Sequence, residues 1–484
     1  LGMYGIWERY LEDAGFQVEH SPDEVDPALL EDISILIVLM QNEPYSAVER
    51  AAIWQFVEAG GALVVLGDHT DLQGFEAPSN ELLEPVGVSF VYDSAYPLRP
   101  WWRHSQSLRW HPAVTGVEGA GTGIGTGASL AMANWSADPV IVGRYGISDY
   151  GNRANAGRGG LLGDYRHQIA AEKFGDLPLV VEASYGEGRV VVFGDTSTFQ
   201  PLAMASSHVF IDRLFNFLVH GEPNARLFFP LLLAGALLLG VVQAGRPGPV
   251  LFFAWAVLFG FGAGRSLESA GPPHISADRP IALVDASLVS ATPGEHFEDN
   301  SAAGIPISLL RAGYFVRHFD EATIEDLAST DLLFIISPTR RPDEDYVEAA
   351  RSLVERGGTL FLATSRYTAQ AAKPLLDLCG VTIGSEPLGD AIVRANGATL
   401  QFVEAWPVRP QVPAVGAQPQ IIVALGEDPI VTRTEIGDGY CIVFGDERFF
   451  INENFEDEFS ATTPHVAFVE GLLPERKKRQ EQRP

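Results

Sequence analysis

The chain repeats itself, and the repeat constrains its fold more than any other feature. Gly15-Phe16-Gln17-Val18 matches Gly313-Tyr314-Phe315-Val316, and the apolar run Ile35-Leu36-Ile37-Val38 matches Leu332-Leu333-Phe334-Ile335, 297 positions on. Gly60-Gly61-Ala62-Leu63-Val64-Val65-Leu66 meets Gly357-Gly358-Thr359-Leu360-Phe361-Leu362-Ala363 at the same offset. Two further blocks follow in the same order: 82–88 with 375–381, and 186–195 with 437–446. Five ordered matches predict two copies of one fold. Within each copy, short β-branched runs alternate with helical patterns, the signature of βαβ units and a mostly parallel sheet. The second copy opens with a strand, Ile281 to Asp285, that has no counterpart in the first. The expectation is that sequence preceding Leu1 supplies it.

Between the copies lie two runs without a charge, 227–244 (LFFPLLLAGALLLGVVQA) and 249–264 (PVLFFAWAVLFGFGAG), joined by Gly245-Arg246-Pro247-Gly248. At 1.5 Å per residue, runs of this length approach the ~30 Å thickness of a bilayer core. They predict a transmembrane helical hairpin over 225–265 that leaves both flanking domains on one side of the membrane. Arg246 in the turn opposes Arg226 and Arg265 on the flanks, so the basic residues alone do not decide the side.

Composition removes other possibilities. The formal charge is -29, and lysine occurs only at 173, 373, 477 and 478, so the surface repels phosphate backbones and no nucleic-acid partner is expected. The one basic run lies in the tail at 474–484. Two cysteines, Cys379 and Cys441, exclude a disulfide scaffold and a Cys-rich metal site. Both fall at apolar positions of the repeat and read as packing residues.

The segments LEDAGFQV, ILIVLM, FVEAGGALVVLGD, HPAVTGV (111–117) and GEGRVVVFGDTSTF (186–199) resemble class I glutamine-amidotransferase-like domains. Such domains occur in membrane-anchored prokaryotic proteins of uncharacterised function and in auxiliary subunits of gliding-type ABC transport systems. The resemblance implies two flavodoxin-like, doubly wound α/β domains. They would cover 1–224, with an insertion at 92–178, and 278–473, separated by the membrane hairpin. It also implies a nucleophilic cysteine on the turn after the strand 63–66, since a thiolate on a tight strand-to-helix turn can attack an amide carbonyl. That turn reads Gly67-Asp68-His69-Thr70 in the first copy and Thr364-Ser365-Arg366 in the second. Neither carries a thiol, so amidotransferase chemistry is expected to be lost.

Candidate ligand-binding residues remain. Asp68 and His69, with Asp71, follow one predicted parallel strand, and Asp195, Thr196 and Ser197 follow another, where such sheets bind ligands. The same residues turn chains and cap helices in most proteins. The insertion carries Trp101, Trp102 and His111, aromatic groups suited to stacking on a sugar or a partner protein and equally suited to packing on their own domain. The run Gly121 to Gly127 lacks the Lys-Ser/Thr ending of a phosphate loop and reads as a flexible loop.

The expected function is a non-catalytic, membrane-anchored binding or scaffolding component of a complex, an accessory of a transport system. Its partners would be other membrane proteins and lipid, with no cofactor, metal or catalytic residue, and the resemblance favours both domains outside the cytoplasm. The alternative is a hydrolase acting through Asp68, His69 and Asp195.

Overall fold

The computed structural model describes residues 4–21, 24–25, 27–98, 102–109, 111–114, 117, 119–133, 137–150, 162–220, 279–288, 301–319, 322–395, 397–411, 418–454 and 463–473. They form two compact units, one of residues 19–274 and one of 1–18 with 275–484. Helix α1 (Gly5–Asp13) buries Ile6, Trp7, Tyr10 and Leu11 along one side. The Arg279 guanidinium stacks 4.2 Å from the Tyr10 ring centroid. The sequence reading sets this helix at the head of the first domain. In the structure it groups with 275–484.

In the 19–274 unit, β1 (Ile35–Leu39) leads to α2 (Ala47–Glu58), then β2 (Ala62–Leu66) and α3 (Glu76–Leu83). A capping box fixes the start of α2: Ser46 accepts from the Glu49 backbone, and the Glu49 side chain accepts from that of Ser46. Gly60, at φ +110°, ends it where a side chain would be strained. Strands β3 (Ser94–Pro97), β4 (Gln106–Leu108), β5 (Ala137–Asp149), β6 (Phe174–Tyr185) and β7 (Gly188–Phe193) follow, then α4 (Pro201–His220). The sheet order is β1-β2-β7-β6-β5-β3, with β4 beside β5. Only β1, β2 and β7 are mutually parallel; β3, β4, β5 and β6 pair antiparallel.

The 275–484 unit runs β8 (Ile281–Asp285), α5 (Gly304–Arg311), β9 (Phe315–Phe319), β10 (Leu332–Ile336), α6 (Glu344–Glu355), β11 (Thr359–Ala363) and α7 (Ala369–Leu378). It ends with β12 (Gln420–Leu425), β13 (Asp428–Ile436), β14 (Gly439–Phe444) and α8 (Pro464–Glu470). The order is β9-β8-β10-β11-β14-β13-β12, parallel through β14 and antiparallel beyond it. A hairpin of Gly389–Ala395 and Ala398–Ala405 stands apart from this sheet.

Each unit buries an apolar cluster between sheet and helices. Val57, Leu63, Val65 and Val192 belong to one, and Leu353, Leu360, Leu362 and Val443 to the other. Cys379 and Cys441 sit in the second core as free thiols, and burial holds the Cys379 thiol well above its ordinary pKa.

The described residues correct the fold expected from sequence. The architecture is mixed α/β with several sheets, not a pair of doubly wound domains flanking a membrane hairpin. The antiparallel share has a local cause: Gly186-Glu187 and Gly437-Asp438 are two-residue connections, with Gly186 at φ +58° and Gly437 at φ +60°. So short a link makes an antiparallel hairpin, whereas a parallel crossover needs a dozen residues or more. The glycines after these turns are forced by packing. A Cβ on Gly188 would lie 2.0 Å from the Val57 carbonyl oxygen, and one on Gly439 would lie 2.1 Å from that of Gly358.

Among the described residues no helix is long and apolar enough to cross a membrane. The longest, α4, has 20 residues but carries His208, Asp212 and Arg213 along its length. The reading of the chain as a multi-pass membrane protein with both domains on one side is therefore withdrawn. The runs at 225–265 on which it rested lie outside the described residues.

Candidate functional site

The carboxyl ends of the parallel strands carry the polar residues of both units, in equivalent register. Leu66 stands opposite Phe193, and Ala363 opposite Phe444. Two residues further on are Asp68 and Asp195 in one unit, Ser365 and Asp446 in the other.

In the 19–274 unit the chain leaves β2 through Gly67, whose amide donates to the Phe193 carbonyl at 2.9 Å. A Cβ there would strike Phe90 and Phe75, at 2.3 and 2.5 Å. Asp68 turns back to accept from the His69 amide (2.7 Å) and from Thr196 Oγ1 (3.2 Å). Asp195 accepts from the amides of Gly125 and Ser197 and from Ser197 Oγ (2.8 Å). Both carboxyls are buried. Burial, then the charge of Asp195, pushes Asp68 up to about 7, and burial also raises Asp195. Burial and the mutual repulsion of two carboxylates both favour the protonated form of Asp68.

His69 places Nδ1 2.9 Å from Thr70 Oγ1 and Nε2 3.7 Å from Asp68 Oδ1, and burial lowers its pKa. Thr70, Asp71 and Gln73 all take positive φ, a strained turn for residues with side chains. The turn is held by the Thr70 amide donating to the Asp93 carbonyl (2.8 Å) and by Asp71 accepting from the Glu76 amide (2.8 Å) at the start of α3. Asp93 escaped the sequence reading. Its carboxyl accepts from the Ser129 amide and hydroxyl and from the Ser148 hydroxyl, and burial raises it to about 6.

The glycine run 121–127, expected to be a flexible loop, is instead seated over the end of β7. Besides the Gly125 amide on Asp195, Thr198 Oγ1 donates to the Thr122 carbonyl at 3.0 Å. A Cβ on Gly127 would lie 2.2 Å from the Gly194 carbonyl oxygen. Trp102 is buried, its ring over Gly143 and Gly146, so it packs its own domain; Trp101 lies outside the described residues. His111 is also buried. Its Nδ1 accepts from the Ala113 amide (3.2 Å), its Nε2 is 3.7 Å from Glu182 Oε2, and its ring meets Phe217 edge-on at 4.6 Å. The structure thus unites Asp68, His69, Asp195, Thr196 and Ser197 and gives Trp102 and His111 packing roles.

In the 275–484 unit the same positions carry different chemistry. Ser365 is 1% exposed and its Oγ accepts from the Tyr367 amide (3.1 Å). Asp446 accepts from the amides of Val403 (2.7 Å), Glu404 (3.0 Å) and Arg448 (2.9 Å), and burial raises its pKa. Thr368 Oγ1 reaches Glu447 Oε2 at 2.9 Å. Beside this cluster lies a cavity of about 350 Å³ lined by Thr339, Arg341, Tyr367, Thr368, Gln370 and Ala371. Sequence reasoning does not reach it because its walls come from the loops after β10 and β11 and the first turn of α7. The only sequence sign was that arginines, Arg340, Arg341 and Arg366, replace Glu43, Pro44 and His69 of the first copy. Among the described residues no group of three or more His, Cys, Asp or Glu side chains is placed to hold a metal.

Residues 303–472 match DUF4350, a domain of unknown function. The DUF4350 segment includes β9 to β14 and every residue lining the cavity. No curated protein matches the chain. Among solved structures it is similar to an exo-β-1,4-mannosidase from Opitutaceae bacterium strain TAV5, at 13% identity and TM-score 0.28, over 46% of this chain and 39% of that one. It is similar to the mmIFT52 N-terminal domain at 13% identity and TM-score 0.31, over 40% of this chain and 95% of that one. It is also similar to a polyextremophilic β-galactosidase from the Antarctic haloarchaeon Halorubrum lacusprofundi, at 16% identity and TM-score 0.28, over 45% of this chain and 33% of that one. The chain therefore spans about two fifths of the mannosidase and one third of the galactosidase. At these scores the likenesses fix neither fold nor activity.

Proposed function

We propose that the chain is a non-catalytic binding or scaffolding component of a protein complex, built from two degenerate amidotransferase-like domains. The observation that carries this reading is the use made of the nucleophile position in each unit. Asp68 and Ser365 are both buried and engaged by neighbouring protein donors, one accepting from His69 and Thr196, the other from Tyr367. A nucleophile must instead present a free lone pair beside a base and a space for the reacting carbonyl. Partner proteins would be held through the strand-end loops.

The test is a turnover assay on the full chain, following ammonia release from glutamine and hydrolysis of activated esters and phosphate esters. Background rates are expected throughout. A turnover abolished by both Asp68→Asn and His69→Ala would establish the second reading, a hydrolase, which is favoured by one feature. A carboxyl held near 7 beside a second carboxyl can give and take a proton at neutral pH.

A further inference from the structure

We propose that the cavity at the carboxyl ends of β10 and β11 is a binding site for a small molecule carrying an oxyanion, phosphate or carboxylate, on an apolar or ring-shaped body. This deepens the binding reading above and rests on it for the assumption that the site does not turn its ligand over. The volume, about 350 Å³, falls at the small end of the range of sites for low-molecular-weight ligands.

Arg341 is the one charged side chain in the lining and is exposed, and no described residue pairs with it. Arg340, Arg366 and Arg448 stand at the ends of β10, β11 and β14, also exposed and without a described ion-pair partner. In a chain of charge -29, where an exposed arginine such as Arg409 finds Asp428 at 3.1 Å, Arg341 brings to the cavity lining a guanidinium with no ion-pair partner among the described residues. A guanidinium forks onto a phosphate or carboxylate through two parallel N–H bonds.

The rest of the lining supplies complementary contacts. Tyr367 is 74% exposed, with its ring set edge-on to Trp406 at 5.6 Å, so an open aromatic face is held in place for an apolar body. Gln370, also in the lining, offers a neutral hydrogen-bonding group. Of the acids nearby in sequence or space, Glu447 has its Oε2 engaged by Thr368 Oγ1 and Asp343 caps α6 by accepting from the Tyr346 amide, while Glu344 and Asp345 follow on the first turn of that helix. The equivalent crevice of the other unit is acidic and covered by the 121–127 run, so the site belongs to the 275–484 unit alone.

The experiment is a ligand-observed NMR titration of the full chain with phenyl phosphate and with benzoate, using benzyl alcohol as the uncharged counterpart. Saturable binding of at least one anion and none of the alcohol is expected, and the tighter anion names the oxyanion recognised. Arg341→Met should weaken binding at least tenfold and Tyr367→Ala severalfold, while Arg351→Met, at a half-buried arginine of α6 outside the cavity, should leave it unchanged. No saturable binding of either anion, or equal binding by the Arg341→Met protein, overturns the proposal. Phenol release in the same samples separates the two readings. Turnover with binding intact breaks the non-catalytic reading and leaves the site standing, whereas absent binding without turnover does the reverse.

Discussion

The two strand-end sites occupy the same place on similar sheets and have opposite character. In the 19–274 unit, Asp68 and Asp195 lie buried at the ends of adjacent strands beside glycine-rich backbone, Asp68 accepting from His69 and Thr196 and Asp195 from Gly125 and Ser197. In the 275–484 unit, Ser365 replaces the first carboxyl, Asp446 keeps the second, and Arg341 lines an open cavity beside them. The difference teaches that the scaffold demands little of these positions. Register fixes where the side chains stand. Their charge, and whether a loop covers them, decide whether the place is a sealed structural acid pair or an accessible anion site.

The comparison breaks first if the scaffolds are not equivalent. Gly188→Val and Gly439→Val each drive a side chain into a carbonyl oxygen at about the same point, so each should cost ~4 kcal/mol or more and abolish soluble expression. A severe effect in one unit and a mild one in the other, seen in expression and urea unfolding, would deny the equivalence.

Ser365→Asp sharpens it. The substitution recreates a buried acid pair beside Asp446 without the Thr196 equivalent, which is Glu447. It should destabilise the chain by about 3 kcal/mol at pH 8 and much less at pH 4, where the new acid stays protonated.

Asp68→Asn should act in the opposite direction. Asp68 holds its proton more tightly folded than unfolded, so its proton-linked stability is complete below about pH 4. That stability is lost as pH rises through its folded value of about 7. Asparagine removes that loss. Thermal unfolding should show the variant more stable than wild type by on the order of 2 kcal/mol at pH 8, with no gain at pH 4. A uniform loss at both pH values would mean the carboxylate is needed in its charged form.

The smallest effects concern matched helix starts. Ser46 caps α2 and Asp343 caps α6, accepting from the Tyr346 amide at 2.8 Å. Replacing either by alanine should cost about 1 kcal/mol, read as a shift in urea midpoint.

How far the sequence carried depends on whether a feature is local. The runs 62–66 and 359–363, buried at every position, announce interior strands, and Gly60-Gly61 and Gly357-Gly358 announce the helix ends before them. The meeting of Asp68 with Asp195 also follows from adjacent strands in matched blocks. The hairpins at Gly186 and Gly437 show in the sequence as glycines, and it is the two-residue length of the links that forces antiparallel pairing. The apolar runs at 225–265 suggested a membrane span from hydropathy alone, a criterion that ignores what surrounds a segment. The cavity was out of reach, because Arg341 and Tyr367 are brought together by two loops whose conformations no periodicity encodes. For Trp102 the sequence leaves partner contact and packing on its own domain both open, and only the room made by Gly143 and Gly146 for its ring decides for packing.

Hydrogen exchange of the full chain, with and without saturating phenyl phosphate, tests most directly the claim that one site is sealed and the other receptive. The account predicts ligand-dependent protection in 337–343 and 364–371, with exchange at 67–74 and 195–200 unchanged. Protection at 67–74 and 195–200, or at none of the strand ends, would contradict it.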